Sequence, residues 1–401
     1  MPAYLHGHQL LDRFQGLDQF LTEYQRLWKP RPFTCLQLGW ERQYPELATH
    51  LRQCTLEEAE NEAGAERLPA PYSQLATQAK HLSAVGELPD AGLPSAGHRL
   101  DVNVPGRKWQ QIEAFSRRLA FRENTRHWLD WCAGKGHLGR RLLQPGQQLT
   151  CLEYDAELVA AGQALSDHHH LPATHVHQDV MAAGSTDYLT VEKSVVALHA
   201  CGELHVHLLR QASDQGCRHL AVAPCCYNRI PGERYQPLST AAQASALQLD
   251  MLDLGLPLSE TVTAGARVRR QRDLSMARRL GFDLLQREQR QCDDYLPTPS
   301  LPVAWLDKTF EHYCRELAAL RQVDIQGTPD WTRLEAAGWQ RLAQVRNLER
   351  VRNLFRRPLE MWLVLDRALF LEEQGYKVRL GTFCDYPLTP RNLLLLAERD
   401  R

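Results

Sequence analysis

The chain has 401 residues, of which 43% are hydrophobic and 24% charged, and its formal net charge is −1 at pH 7. This length suits two structural units, or one large domain with an insertion. The composition excludes a collagen-like or wholly disordered chain, and the balanced charge excludes a uniformly basic nucleic-acid-binding surface. Only seven of the 47 basic residues are lysine, so local arginine clusters remain candidates for phosphate recognition.

The eleven cysteines are scattered and include no C-x-x-C pair, which argues against a disulfide framework and against a ribbon-type zinc site. No metal site is predicted. The N-terminus lacks a basic segment followed by an apolar run, and no apolar stretch approaches the roughly 18 residues of a membrane span. We therefore expect a reduced, soluble, cytoplasmic protein.

Residues 1–100 are predicted to form an N-terminal helical region, because apolar residues such as Leu10, Phe14 and Leu21 recur at helical spacing. Residues 101–230 follow with alternating strands and helices. The predicted strands are 127–132, 148–153, 174–179, 194–200 and 219–224. Alternation of this kind predicts an α/β fold with a parallel sheet and right-handed crossovers.

Residues 231–355 are predicted to form a helical, Arg-rich insertion. Eight arginines stand against three acids in 264–290, and seven against two in 333–357. Arg346, Arg350 and Arg357 recur at near-helical spacing. That spacing fits either a phosphate-binding stripe or a solvated helical face.

Residues 356–401 are predicted to close the α/β domain with a helix and two strands, 377–383 and 392–397. The short connection between these strands, which contains proline, predicts a terminal β-hairpin. The sheet would thus have five parallel strands and a hairpin.

A glycine loop follows the first predicted strand, in the run Asp130-Trp-Cys-Ala-Gly134-Lys-Gly136. Without side chains, Gly134 and Gly136 would let a ligand approach the backbone closely. The loop lies between a strand and a helix, early in the series, which is the place where α/β sheets bind nucleotides.

Acidic residues end the first three predicted strands. Glu153 is placed to accept hydrogen bonds from both hydroxyls of a ribose. Asp179, or the amide of the neighbouring Val180, is placed to contact an adenine edge. With Asp130 these positions describe a nucleoside pocket, although an acid at a strand end can also cap the following helix.

Two cofactors fit this pocket. The spacing of Gly134, Gly136 and Gly139 formally satisfies the dinucleotide pattern G-x-G-x-x-G. A pyrophosphate, however, favours an uncluttered helix N-terminus, whereas Asp130 suits a cationic sulfonium ligand that carries an amino group. We therefore favour S-adenosyl-L-methionine.

Three runs of the sequence resemble a family of class I S-adenosylmethionine-dependent methyltransferases that includes the ribosomal RNA adenine dimethylase domain-containing and methyltransferase-like proteins. They are Asp130-x-Cys132-x-Gly-Lys-Gly, Leu198-His-Ala-Cys-Gly-Glu-Leu204, and Pro224-Cys-Cys-Tyr-Asn-Arg229. Shorter matches are Pro237-Leu-Ser239 and Leu365-Asp-Arg367. The resemblance implies a Rossmann-like, mainly parallel seven-stranded sheet, and cofactor contacts at Asp130, Cys132, Gly134, Gly136, Glu153, Asp179, Val180 and His199.

The Cys-Cys run is also similar to that of the tRNA acceptor-stem 2′-O-methyltransferases, which carry Cys-Cys-His-His-Arg. This chain has Asn228 at a position that is usually His in these families. His199 lies at the end of the fourth predicted strand and the Cys-Cys run follows the fifth, so both lie beside the pocket. We therefore predict catalytic or substrate-contacting roles for His199, Cys225, Cys226, Tyr227 and Arg229.

Each of these residues also has a plainer interpretation. His199 fits a base, a substrate contact or a core histidine, and the two cysteines fit an apolar wall, a soft-metal site with Cys201, or simple packing. Tyr227 fits stacking on a flat acceptor or a half-buried rim position, and Arg229 fits a phosphate or carboxylate contact. A solvated loop, and no metal site, is expected for His168–His170, His175 and His177.

The sequence therefore predicts a methyltransferase that uses S-adenosyl-L-methionine and acts on RNA, with tRNA or rRNA favoured and the Arg-rich insertion as the RNA-binding part. A protein or a small molecule is the alternative acceptor. A methyltransferase fold that serves only as a binding module is the third possibility, against which the intact loop and strand-end acids argue.

Overall fold

In the computed structural model, the residues described are 4–60, 68–94, 100–259 and 265–400. The rest of the predicted N-terminal region (1–3, 61–67, 95–99) and of the predicted insertion (260–264) lies outside the described residues, as does residue 401. The chain divides into two compact units. The first comprises 1–22, 82–262 and 357–401, and the second comprises 23–81 and 263–356.

The strands of the first unit form one eight-stranded sheet with the order β1-β7-β8-β6-β5-β2-β3-β4. Their bounds are β1 Leu5–His6, β2 His127–Trp131, β3 Gln148–Glu153, β4 Ala173–His177, β5 Lys193–Cys201, β6 His219–Cys225, β7 Lys377–Thr382 and β8 Leu393–Glu398. All seven strands read from the sequence are present, with ends shifted by at most a few residues.

The sheet differs from the prediction in number and direction of strands. It has eight strands because Leu5 and His6 pair antiparallel with β7 and extend the edge. It is mixed rather than mainly parallel: β2 to β6 pair in parallel, whereas β8 is antiparallel to both β6 and β7. The hairpin reverses the chain, so β8 must enter against its neighbours.

Fourteen α-helices lie in the described residues. They are α1 His8–Glu23, α2 Gln25–Trp28, α3 Pro45–Gln53, α4 Leu56–Glu60, α5 Tyr72–Ser83, α6 Gly106–Ser116, α7 His137–Leu142, α8 Ala156–His168, α9 Glu203–Asp214, α10 Thr240–Gln243, α11 Ala266–Arg290, α12 Phe310–Leu320, α13 Trp331–Asn353 and α14 Arg356–Glu373. None of the described helices is long and apolar enough to cross a membrane.

A buried charge cluster joins two of the runs on which the family resemblance rests. The Asp366 carboxylate, fully buried on α14, accepts the Ser239 amide and hydroxyl, both at 2.7 Å, and the Leu238 amide at 3.0 Å. Next to it, Arg367 donates to Nε2 of His205 at 2.8 Å and to the Tyr235 hydroxyl at 3.0 Å. The hydrogen bonds of this cluster therefore hold the segment after β6 against α14.

The second unit brings together residues 23–81 and the long helices of the predicted insertion. Helix α11 packs along α13, with Ala277, Leu280, Leu342 and Val345 in one buried cluster. The four predicted ranges, 1–100, 101–230, 231–355 and 356–401, thus do not coincide with the compact units, although the last boundary falls within two residues of one.

Several arginines among the described residues of this unit bind within it. Arg341 donates to the Pro32 carbonyl at 2.6 Å and Arg352 to the Trp28 carbonyl at 2.8 Å. Of the predicted stripe, Arg346 donates to Asp273 at 2.7 Å, while Arg357 belongs to the first unit, where it donates to Asn392 at 2.8 Å. The three do not form one free basic stripe.

Candidate active site

Strands β2 to β6 end at one edge of the sheet, which we call the carboxyl edge. It presents the loop after β2, Glu153 at the end of β3, and the ends of β5 and β6 at Cys201 and Cys225. Cys132, His199 and Cys226 stand at or just after three of these strand ends, and all three have positive φ, +59°, +72° and +50°. Strained backbone of this kind concentrates at functional sites.

The two glycines of the loop have different surroundings. Gly134 has φ of +57°, and a Cβ built there would meet nothing within 4 Å. Gly136 has φ of +69°, but a Cβ there would lie 2.4 Å from Cε1 of His175. The open side of the loop is thus at Gly134. At position 136 a side chain would collide with His175, so glycine is needed there for packing. A contact of Gly136 with the cofactor stays a prediction.

The histidine behind the loop corrects the expectation of a solvated loop. His175 is buried on β4, with Nε2 at 3.0 Å from the Ser166 hydroxyl. It also fills the space that a Cβ on Gly162 of α8 would need, at 2.4 Å. His175 therefore supports the loop from inside the domain. The only sign of this role in the sequence is that a histidine on a strand accompanies glycines at 136 and 162, the two positions it packs against.

Asp130 lies beneath the loop at the end of β2. Its Oδ2 accepts the amide of Gly139 on α7 at 2.9 Å, and the side chain is buried. Burial raises the pKa of this carboxyl to about 7, although the Gly139 hydrogen bond and Arg140 act in the opposite direction. These contacts place Asp130 as a support for the loop and helix, and its contact with a ligand stays a prediction.

Glu153 ties the loop to the next strand. Its Oε2 accepts the Gly134 amide at 2.8 Å, and its Oε1 accepts the amides of Tyr154 at 2.9 Å and Asp155 at 3.0 Å. A carboxylate offers about four acceptor positions, so about one remains on Oε2. The contact of Glu153 with the two ribose hydroxyls stays a prediction.

The remaining predicted cofactor positions lie around this loop. Asp179 is exposed two residues beyond β4, and its Oδ1 accepts the Met181 amide at 2.9 Å, while Val180 is buried. The thiol of Cys132 is half-buried, and burial together with the charge of Glu153 raises its pKa to about 12. Cys132 is therefore a neutral thiol at physiological pH.

A β-bulge shapes the end of β5. Leu198 pairs with Ala223, and Cys201 pairs with Cys225. Between these two pairs β5 therefore has one more residue than β6. His199 lies inside the bulge, with Nε2 at 3.0 Å from Oε1 of Gln111 on α6. Burial and the charge of Lys108 lower the pKa of His199, so its ring is neutral near pH 7 and able to accept a proton.

Three thiols meet beside this bulge. Sγ of Cys201 lies 3.6 Å from Sγ of Cys225, and the Sγ atoms of Cys201, Cys225 and Cys226 all lie within 4.8 Å of one another. Hydrogen bonds from Cys201 and Cys225 lower the pKa of Cys226, and Arg229 and Arg391 act in the same direction. Cys225 is buried, and the other two thiols are half-buried.

The position of Tyr227 contradicts the prediction of a rim aromatic that stacks on an acceptor. Its side chain is fully buried, its hydroxyl donates to the Pro224 carbonyl at 3.2 Å, and the guanidinium of Arg367 lies 5.4 Å from its ring centre. Strand β6 ends at Cys225, and Tyr227 lies in the turn that follows it. Tyr227 is therefore a packing residue.

Cationic side chains surround the carboxyl edge. Arg229 is exposed after β6, Lys135 is exposed in the glycine loop, and Lys108 is exposed on α6. Lys108 is close enough to lower the pKa of both His199 and His137. Sequence reasoning assigned no role to Lys108 or Gln111, whose only signal was the basic pair Arg107-Lys108 in the first turn of α6.

The fold and this edge define an α/β domain whose glycine loop is open at Gly134. Residues 107–233 match a protein family described as "Methyltransferase domain". No curated protein matches the chain.

Solved structures show weaker likenesses. Precorrin-6y C5,15-methyltransferase from Geobacter metallireducens is 12% identical, with a TM-score of 0.24 over 32% of this chain and 66% of that chain. A SAM-dependent methyltransferase from Agrobacterium tumefaciens is 12% identical, with a TM-score of 0.24 over 30% and 45%. Magnesium protoporphyrin IX methyltransferase from Synechocystis PCC 6803 is 10% identical, with a TM-score of 0.32 over 77% and 90%. The chain spans less than two thirds of the first two proteins, and such TM-scores carry no information on substrate.

The family match assigns a methyltransferase domain to residues 107–233. It is an enzyme domain, and its cofactor is S-adenosyl-L-methionine. The residues present fit this cofactor, because the loop is open at Gly134 and Glu153 keeps an acceptor position beside it.

Proposed function

We propose that the protein transfers a methyl group from S-adenosyl-L-methionine to RNA, with tRNA or rRNA as the favoured substrate. The observation that carries this proposal is the set of exposed cations at the carboxyl edge, Lys108, Lys135 and Arg229. Side chains of this charge contact phosphates, which dominate the affinity of proteins for nucleic acids. The resemblance to RNA methyltransferases supports the same substrate class.

Within this proposal each residue of the edge has a defined task. The cofactor supplies the electrophilic methyl group. The loop at Gly134 and the carboxylate of Glu153 would hold its nucleoside part, with Asp179 and Val180 at the adenine. His199, kept neutral and oriented by Gln111, would take the proton that a hydroxyl or amine acceptor loses. Arg229 would hold an RNA phosphate.

A second set of exposed cations supports an RNA substrate. In the second unit, Arg267, Arg269 and Arg270 are exposed in the first turns of α11. They are available for a phosphate-binding role, unlike Arg341, Arg346 and Arg352, which bind within the unit.

One observation favours the alternative of a small-molecule acceptor. A cavity of about 600 Å³ lies next to the ends of β5 and β6, and its walls include Gly202, Tyr227, Arg234 and Arg367. This volume is in the range of small-molecule sites. The alternative predicts methyl transfer that does not depend on RNA.

The test is transfer of a labelled methyl group from S-adenosyl-L-methionine to RNA, protein and metabolite fractions of cells that lack the protein. Label in an RNA size class supports the proposal, and label confined to protein or metabolites refutes it. RNA affinity should fall steeply with salt, and Arg229→Gln should reduce the slope of log K against log salt by about 1. Arg126→Gln, exposed at the opposite edge just before β2, is the control and should leave the slope unchanged.

A further inference from the structure

The strongest unassigned feature of the first unit is the group of thiols at Cys201, Cys225 and Cys226. Among the described residues, it is the group of His, Cys, Asp and Glu side chains with ligand atoms close enough to hold a metal ion together. All eleven cysteines are free thiols, so none of the three is used in a disulfide.

The backbone is built to bring these thiols together. Without the bulge in β5, Ala200 would stand opposite Cys225, because Leu198 stands opposite Ala223. The extra residue moves Cys201 into that place, at the cost of a positive φ at His199. Cys226 also has positive φ, +50°, immediately after the strand. Backbone in this conformation is strained, and simple packing of small apolar groups does not require such strain.

We propose that Cys201, Cys225 and Cys226 form a binding site for a thiophilic divalent cation of the zinc type, with a fourth coordination position left for water or an acceptor atom. The proposal does not depend on RNA being the substrate.

The distances agree with this coordination. Three sulfurs each about 2.3 Å from a tetrahedral zinc ion lie about 3.8 Å from one another. The Cys201 and Cys225 sulfurs are 3.6 Å apart, and no pair in the group exceeds 4.8 Å. Small rotations of the half-buried Cys201 and Cys226 side chains would complete the geometry.

The surroundings also fit the charge of the site. Three thiolates and a divalent cation have a net charge of −1, and Arg229 and Arg391 lie close enough to act on Cys226 electrostatically. Each thiol that still carries a proton releases it to solvent when its sulfur binds the ion, so binding weakens as the pH falls. A site with three protein ligands and one open position is the arrangement that catalytic zinc sites use.

Anaerobic titration of the reduced, metal-free full-length protein with Co²⁺ tests the proposal. We expect one equivalent to produce sulfur-to-cobalt charge-transfer absorption and intense tetrahedral d–d bands, both abolished by added Zn²⁺. Cys226→Ser should weaken Co²⁺ binding by at least about tenfold. Cys292→Ser, at a half-buried cysteine of the second unit, should bind like the wild type. No charge-transfer band in the wild type, or an equal band in Cys226→Ser, would overturn the proposal.

X-ray absorption of the zinc-loaded wild type provides a readout that does not depend on the folding of any variant. Three sulfur neighbours at about 2.3 Å and one lighter atom are expected. Fewer than three sulfurs would refute the site. If mild oxidation instead removes two thiols and Co²⁺ does not bind the reduced protein, the cluster is a disulfide-forming pair and the proposal is wrong.

Discussion

The two loop glycines offer a stringent test because they share a backbone conformation but not their surroundings. An alanine at either position carries the left-handed penalty of about 1–2 kcal/mol. At 136 its Cβ would also lie 2.4 Å from Cε1 of His175 and 2.9 Å from Sγ of Cys151, whereas at 134 it would meet nothing within 4 Å. Overpacking of this kind costs about 1–3 kcal/mol, so Gly136→Ala should lower the free energy of unfolding by that much more than Gly134→Ala.

Urea unfolding of both variants measures the difference, and calorimetric titration with S-adenosyl-L-methionine completes the test. Gly134→Ala should weaken cofactor binding, because its Cβ enters the open side of the loop. Adding His175→Ala to Gly136→Ala should recover part of the lost stability, with a coupling of at least about 0.5 kcal/mol in a double-mutant cycle. Equal losses for the two glycine variants, or additive effects in the cycle, would refute the assigned packing role.

Three further predictions concern buried or bound carboxylates. Glu153→Ala should weaken cofactor binding by about 1–3 kcal/mol in calorimetry. The control Glu157→Ala, at an exposed position, should leave the affinity unchanged. An unchanged affinity in Glu153→Ala would refute the ribose contact. Asp130 keeps its proton up to about pH 7 in the folded state but loses it near pH 4 when unfolded, so stability should fall, by up to about 4 kcal/mol, as the pH rises through this window. Asp130→Asn can keep the Gly139 hydrogen bond and should flatten this part of the profile in urea unfolding at pH 5 and 7.5; parallel profiles would contradict the assignment. Asp366→Ala should cost about 3 kcal/mol or more, since it leaves the buried amides of Leu238 and Ser239 without their acceptor. A loss below about 1 kcal/mol in the same assay would show that the cluster is not needed.

The strands could be predicted because each is a short apolar run between turn residues. The five parallel strands follow from that pattern, and Glu153 could be placed at a strand end by counting. Leu5 and His6 could not be found, because two residues carry no periodicity. Leu5 and His6 become a strand only because they pair with Leu380 and Arg379 of β7, which are distant in the sequence.

The arginines show the other limit of sequence reasoning. A run rich in arginine predicts a basic, solvent-exposed helical face. Guanidinium groups, however, also donate hydrogen bonds to buried carbonyls, as Arg341 does to Pro32 and Arg352 to Trp28. Those partners lie about 300 residues away along the chain, so composition alone could not reveal them. The same reason hides the burial of Tyr227, whose partner Arg367 lies on the closing helix.

Backbone strain marks the functional edge more sharply than composition does. Positive φ at His170, Gln291 and Gln322 follows the ends of helices, where the left-handed conformation is the ordinary way to terminate a helix. Cys132, His199 and Cys226 instead follow or interrupt strands, where no such device is needed. Left-handed backbone at those places persists only when the surrounding structure imposes it, and here it aims a thiol, an imidazole and a second thiol at one edge. The chain thus gives up stability at three positions of the carboxyl edge. In the proposed function this is the edge at which donor and acceptor would be brought into line.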